Sequence, residues 1–164
     1  MTRRALAAAL VALLAAATGG CGYGVGAGAG AARLPAGAGP IFVAPLENRT
    51  TDAEAGALVA AALRTEFSRR GAVGGEGSST RLEGVVTRST SAPLTTQGGT
   101  WRLAFEVQAR LVVNGQEGAS VKVREEVDYL GEVDAIATEG RRRLAVRRAA
   151  EEAAREIAER LEAP

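Results

Sequence analysis

The chain has 164 residues, enough for one domain, and 46% of them are apolar, so a hydrophobic core is possible. Twenty basic and nineteen acidic residues nearly cancel, which excludes a strong overall field for nucleic acid. There is no histidine and a single cysteine, Cys21, which excludes histidine-based triads, internal disulfides and multi-cysteine metal sites. We therefore expect no cofactor and no nucleic-acid partner.

Residues 1–20 have the three-part pattern of an export signal. Arg3 and Arg4 are followed by an uncharged apolar run, residues 5–17, and then by small residues that lead to Cys21. The apolar run is shorter than the roughly 20 residues needed to cross a bilayer. The segment resembles a bacterial lipobox, in which the cysteine thiol receives lipid, although Thr18 stands where leucine is usual. Ordinary cleavage near the same place is the alternative.

The residues after Cys21 predict a membrane tether. By the same resemblance, Gly22 favours the outer membrane over retention at the inner one. The segment that follows is rich in glycine and alanine and cannot bury a core, which is typical of a flexible tether. We expect a signal peptide over residues 1–20, lipidated Cys21 and a tether over 21–40, and a folded domain over 41–164.

The first half of the domain predicts a strand and a capped helix. Residues 41–46 form a short apolar run that Pro45 ends, and a polar loop follows over residues 47–50. Thr51 and Glu54 match a capping box for a helix from about residue 52 to residue 70. Gly71 is a natural residue for the position after the helix end.

The second half predicts two clear strands and a long helix. Residues 81–88 form a weakly patterned strand, and the polar residues 89–100 are expected to form a long loop. Residues 101–113 alternate between apolar and polar side chains, and a hairpin loop at 114–118 leads to a second alternating strand. Asp134 is the expected N-cap of a final helix that ends near Leu161.

These elements follow the order β-α-β-β-β-α. The expected fold is α+β, with a four-stranded, mostly antiparallel sheet and two helices packed on one of its faces. The other face of the hairpin would then stay uncovered, with charged side chains of both signs on it.

Several short stretches together resemble the LptE family of lipopolysaccharide-assembly lipoproteins. They are the CGYG that begins at Cys21, the sequence IFVAPLENRT over residues 41–50, a helix that ends in Arg-Arg-Gly, and the LEG of residues 82–84, followed by a hairpin and a final helix. The resemblance implies a lipoprotein on the periplasmic side of the outer membrane. It also implies partnership with the LptD β-barrel as a plug in its lumen, assistance in delivering lipopolysaccharide to the outer leaflet, and no enzymatic activity.

Lipopolysaccharide carries phosphates, which arginine binds in a bidentate manner. The candidate phosphate-binding residues are Arg88 and Arg102, which flank the predicted loop, and Arg110, Lys122 and Arg124 on the hairpin. An ordinary solvated face is the alternative interpretation of these five residues. The alternative for the whole protein is a periplasmic lipoprotein that regulates a cell-wall synthase or forms part of a secretion complex.

Overall fold

The computed structural model describes residues 34–35, 37–94, 99–131 and 133–162. The predicted signal segment, Cys21 and most of the predicted tether lie outside these residues. The secondary-structure elements are β1 (Ile41–Val43), β2 (Glu47–Asn48), α1 (Ala55–Arg69), β3 (Thr80–Pro93), β4 (Thr100–Val113), β5 (Gln116–Leu130) and α2 (Ala135–Leu161).

The sheet has the order β1-β3-β4-β5, and β2 also pairs with β3, beyond β1 on the same edge. Strands β1 and β2 are parallel to β3, whereas the two long pairs, β3–β4 and β4–β5, are antiparallel. The predicted α+β class is confirmed, with five strands instead of four. Pro45 interrupts the first strand as predicted, but the chain pairs with β3 again immediately afterwards.

Both helices lie on one face of the sheet. α2 contacts β5, β4 and α1, and α1 contacts β1, β2 and β3. The alternating residues of β4 confirm their prediction, because Leu103, Phe105 and Val107 are fully buried beneath the helices. α2 contributes a buried row, rich in alanine, that includes Ile157 and Leu161. The core therefore lies between one sheet face and the two helices, and the opposite face is uncovered.

The predicted capping box of α1 is wrong. The helix begins at Ala55, and Glu54 occupies the N-cap position without a side-chain hydrogen bond to the helix. The polar residues before it bond to one another instead: Thr50 donates through Oγ1 to Asn48 Oδ1 at 2.8 Å, and Asn48 Nδ2 donates to the Asp52 carbonyl at 2.6 Å. The Thr50 hydroxyl and the Asn48 side-chain amide therefore form hydrogen bonds within the loop and do not cap the helix.

The helix end and the hairpin follow the predicted turn chemistry. Gly71 has a φ of 66°, and the amides of Gly71 and Ala72 donate to the Ser68 and Phe67 carbonyls at 3.0 and 2.8 Å. This is the Schellman arrangement. Asn114 and Gly115 both have positive φ, 52° and 78°, and form a two-residue turn between β4 and β5 that is shorter than the predicted loop.

The predicted loop over residues 89–100 is mostly wrong, because β3 continues to Pro93. Its polar residues show no apolar alternation, so the sequence pattern did not mark them as a strand. In the structure they pair with β4 in continuous register, Ser89 opposite Phe105 and Pro93 opposite Trp101. Pairing with a strongly patterned neighbour supplies the stability that their own sequence lacks.

Candidate functional site: the outer sheet face and the β5–α2 groove

The sheet face that the helices leave uncovered, here called the outer sheet face, carries the predicted phosphate-binding residues. Arg102, Arg110, Lys122 and Arg124 lie on this face of β4 and β5. Arg88 lies within β3, opposite Glu106, and does not flank the shortened loop. The predicted residues therefore share one surface.

Four of the strand residues at one end of the outer sheet face form a charge network. Arg102 Nε lies 2.7 Å from Asp128 Oδ1, and its Nη1 lies 3.3 Å from Glu126 Oε2. The other Glu126 oxygen accepts from Arg124 at 3.1 Å. The hydrogen bond from Arg102 holds the pKa of Asp128 below its usual range. Both arginines are therefore already neutralised by carboxylates of the same face.

At the other end of the outer sheet face, the cations are also paired with carboxylates. Arg110 Nη2 lies 2.8 Å from Glu83 Oε2, and Lys122 Nζ lies 3.0 Å from Glu106 Oε1. The hydrogen bond from Lys122 lowers the pKa of Glu106. Arg88 has no ion pair within the part of the chain that the structure describes. A phosphate on this face would have to displace carboxylates from four of the five predicted cations, so their role in phosphate binding stays a prediction.

A second surface, which the sequence analysis did not identify, is the β5–α2 groove. Tyr129 and Leu130 at the end of β5 form one wall, and Arg141, Leu144 and Arg148 of α2 form the other. The groove has a volume of about 560 Å³. The three α2 residues follow one another at spacings of three and four, which places them on one side of the helix. The groove thus combines apolar and cationic side chains.

The groove differs from the outer sheet face in its charge pairing. Arg147 also lines it, and among the described residues neither Arg147 nor Arg148 has an ion-pair partner. The groove contains two carboxylates, Asp128 and Glu151, of which Asp128 is already bonded to Arg102. The result is an excess of positive charge in a concave surface, where low-dielectric walls strengthen the local field.

A partly buried cluster fixes the N-terminal half of α2 against the rest of the domain. Arg142 Nη1 donates to Asp52 Oδ2 at 2.9 Å, its Nη2 donates to the other Asp52 oxygen, and its Nε donates to Glu139 at 2.9 Å. Ser89 of β3 also donates to Asp52. The hydrogen bond from Arg142 holds the pKa of Asp52 below its ordinary value of 3.8 against the opposing effect of burial. The cluster joins the loop before α1, β3 and α2.

One carboxylate interrupts the apolar inner side of β5. Glu125 alternates with the buried Val123 and Val127 and therefore points toward α2. Burial, together with a hydrogen bond to Glu156, raises the pKa of Glu125 to about 7. An inward-pointing charge on an edge strand is a recognised protection against pairing with strands of other molecules.

Across the described residues, no set of three histidine, cysteine, aspartate or glutamate side chains is arranged to hold a metal ion. Within the same residues, no helix combines the length and apolar character needed to cross a membrane. The chemistry that the described surfaces offer is ion pairing, hydrogen bonding and apolar contact.

Several solved bacterial proteins have the same fold. A protein from Caulobacter crescentus CB15 described as a lipoprotein is 23% identical, with a TM-score of 0.58 over 72% of this chain and 88% of that one. The PelC dodecamer of Paraburkholderia phytofirmans is 15% identical, with a TM-score of 0.57 over 85% and 96% of the two chains. Rare lipoprotein B of Shewanella oneidensis is 17% identical, with a TM-score of 0.51 over 73% and 92%. A search of curated proteins found no significant match.

At these identities the solved structures establish the fold alone: an α+β domain that several bacterial lipoproteins share. The family is established by a separate comparison, in which residues 38–161 match the family model described as LptE, lipopolysaccharide-assembly. Because the match spans most of the chain, this protein belongs to the LptE family. The predicted resemblance is confirmed.

Proposed function

We propose that this protein is an outer-membrane lipoprotein, anchored on the periplasmic side by lipid on Cys21. It partners and plugs an LptD-type β-barrel and assists the insertion of lipopolysaccharide into the outer leaflet. The observation that carries the proposal is the match to the lipopolysaccharide-assembly family over residues 38–161. In this proposal the protein acts by contact and not by catalysis.

The outer sheet face supports the role of a plug. The interior of a large barrel is polar and filled with water. A plug therefore needs a rigid surface that is hydrophilic without a large net charge. The face meets this need because Arg102, Arg110, Lys122 and Arg124 are each paired with a carboxylate of the same sheet. Such paired charges remain compatible with a wet interface at little cost in desolvation.

The point at which the chain enters the domain supports an anchor that leaves the domain free to dock. The chain enters the domain beside the first residue of β3, where the Gly39 amide donates to Thr80 Oγ1 at 3.0 Å. The fourteen residues from Cys21 to Leu34 span at most about 45 Å when fully extended. Several acyl chains on one cysteine hold a protein at a membrane stably. The domain therefore needs no membrane-spanning segment of its own.

The anchor is tested with Cys21→Ala and, as a matched control, Thr18→Leu, which restores the usual lipobox residue and keeps the thiol. Intact-mass measurement should find lipid on the native protein and on the Thr18→Leu variant, and both should fractionate with the outer membrane. The Cys21→Ala variant should be released. Native protein without lipid, or unchanged membrane fractionation of Cys21→Ala, would contradict the proposal.

The role in lipopolysaccharide assembly is tested by depleting the protein from its own cells. Depletion should lower the amount of lipopolysaccharide at the cell surface and increase its retention in inner compartments. Re-expression of the native chain should restore the surface level. A cell surface that is unchanged after full depletion would refute this part of the proposal.

A further inference from the structure

We propose that the β5–α2 groove is a binding site for a phosphorylated, acylated lipid. Arg147 and Arg148 bind the phosphate, and Leu130 and Leu144 contact the first part of the acyl chains. The identification of the lipid as lipopolysaccharide rests on the proposed function. The location of the site rests on the geometry of the groove itself.

The unpaired arginines are the first argument. On the outer sheet face, four cations are bonded to carboxylates, whereas among the described residues Arg147 and Arg148 have no such partner. A phosphate that enters the groove replaces only water around these guanidinium groups and breaks no ion pair. Guanidinium groups bind phosphate through paired, charge-assisted hydrogen bonds. The groove is therefore better suited to bind phosphate than the outer sheet face, where the sequence predicted phosphate binding.

The exposed apolar side chains are the second argument. Leu130 and Leu144 are 57% and 63% exposed, whereas most large apolar residues in the described part of the domain are buried in the core. Exposed apolar side chains grouped around a basic groove mark an interaction site. Phosphate alone does not use them, whereas a lipid with acyl chains does.

The size of the groove agrees with a lipid headgroup. A volume of about 560 Å³ lies within the range of roughly 300–1,000 Å³ that is usual for ligand pockets. Its open side lets the remainder of a long ligand extend beyond the protein. The groove therefore recognises one part of a large amphiphile, the junction between its phosphate and its acyl chains.

The occupant is an external lipid and not the lipid predicted on Cys21. The groove lies at the Thr100 and Leu130 end of the sheet, whereas the tether enters at the opposite end, where Thr80 pairs with Val113. The 14 residues of β4 separate these two ends by about 45 Å. The tether would have to be almost fully extended to bring its own lipid to the groove, at a large cost in chain entropy.

The site is tested with full-length protein in detergent and three probes: diphosphorylated lipid A, the same lipid without its phosphates, and the same sugar phosphate without its acyl chains. The test variant is R147Q/R148Q. The control is R64Q/R69Q, which makes the same change in charge on the exposed side of α1. A third variant, Leu144→Gln, tests the apolar contact. Circular dichroism and urea unfolding confirm that each variant is folded.

We expect R147Q/R148Q to weaken binding of lipid A about tenfold or more, and R64Q/R69Q to change it less than about twofold. The two groove arginines should matter little for the dephosphorylated lipid. Leu144→Gln should weaken binding of lipid A but not of the deacylated sugar phosphate. Native protein that binds lipid A while both double variants bind it equally well would overturn the site and leave the proposed function intact. Native protein that binds none of the probes, yet purifies with a barrel, would overturn the site and the lipid-binding role together.

Discussion

Replacing Asp52 with alanine removes the carboxylate that joins α2 to the rest of the domain. Asp52 is only 11% exposed and Arg142 is 26% exposed, so both side chains of the pair are largely withdrawn from water. The variant loses two charge-assisted hydrogen bonds to Arg142, each worth about 1.5–3 kcal/mol, and the bond from Ser89. The loss is reduced because Arg142 keeps Glu139 as a partner at 2.9 Å. We expect a decrease of about 2 kcal/mol in the free energy of unfolding.

The stability that Asp52→Ala loses should become smaller as the pH falls. The pKa of Asp52 in the folded protein lies below its ordinary value of 3.8. Its contribution to stability is therefore fully present above the pKa of the unfolded chain, and it is lost as the pH falls through the folded pKa. Urea unfolding of native protein and Asp52→Ala should differ by about 2 kcal/mol at pH 7, and the difference should shrink progressively below about pH 4.

The matched control is Glu47→Ala, which breaks an exposed ion pair between Glu47 of β2 and Arg49 in the loop that leads to Asp52. Glu47 and Arg49 are 58% and 63% exposed and lie 2.9 Å apart, so water and salt screen their interaction. We expect this variant to lose much less stability than Asp52→Ala. If Asp52→Ala costs no more than Glu47→Ala, or if its cost does not decrease in acid, the Asp52–Arg142 pair does not hold α2 in place.

Three further predictions concern the edge strand, the core and the C-terminal ends of the helices. Glu125→Gln should stabilise the protein by about 1 kcal/mol above pH 7 and have little effect below pH 4.5. The reason is that the raised pKa of Glu125 makes the native protein lose stability as the pH rises between these two values. Equal effects at both pH values in urea unfolding would contradict this prediction. Phe105→Ala should cost about 3–5 kcal/mol in urea unfolding, since the ring is fully buried between sheet and helices, and a cost below 1 kcal/mol would refute the assigned core. Arg70→Ala should lower the free energy of unfolding by about 1–2 kcal/mol, because Arg70 Nη1 at the end of α1 lies 2.6 Å from Glu162 Oε2 at the end of α2. A melting temperature that does not decrease in this variant would show that the contact is not stabilising.

The elements that the sequence predicted well are those whose signals are local. The alternation through Phe105 fixed the buried side of β4 because side-chain direction in a strand has a period of two. Asp134 begins α2 as predicted, and its side chain accepts from the Ile136 amide at 3.0 Å. Gly71 ends α1 because its left-handed conformation suits glycine. Each of these features depends on residues that are close to one another in the sequence.

The elements that the sequence missed depend on distant partners. Residues 89–93 are polar and become a strand only because β4 lies beside them. The sequence signal at Thr51 and Glu54 was outweighed by the bonds that Asn48 and Thr50 make within the loop. Asp52 and Arg142 are 90 positions apart, and nothing near either residue indicates that they meet.

The candidate site was also predicted only in part, because contacts between distant residues cannot be inferred from local sequence patterns. Alternation correctly placed Arg102, Arg110, Lys122 and Arg124 on one face. It did not show that each has a carboxylate partner, because that requires the register between strands. The groove was missed for a related reason: only the packing of α2 against β5 brings Arg148 and Leu130 into the lining of one groove.

The central claim is that this protein works as the partner of a β-barrel in lipopolysaccharide assembly. Affinity purification of the native chain from gently solubilised envelopes, followed by mass spectrometry, tests it most directly. The account predicts an LptD-type barrel as the dominant partner, in amounts similar to those of the bait and retained at moderate salt. Recovery of an inner-membrane cell-wall synthase or a secretion complex in its place, with no barrel, would contradict the claim.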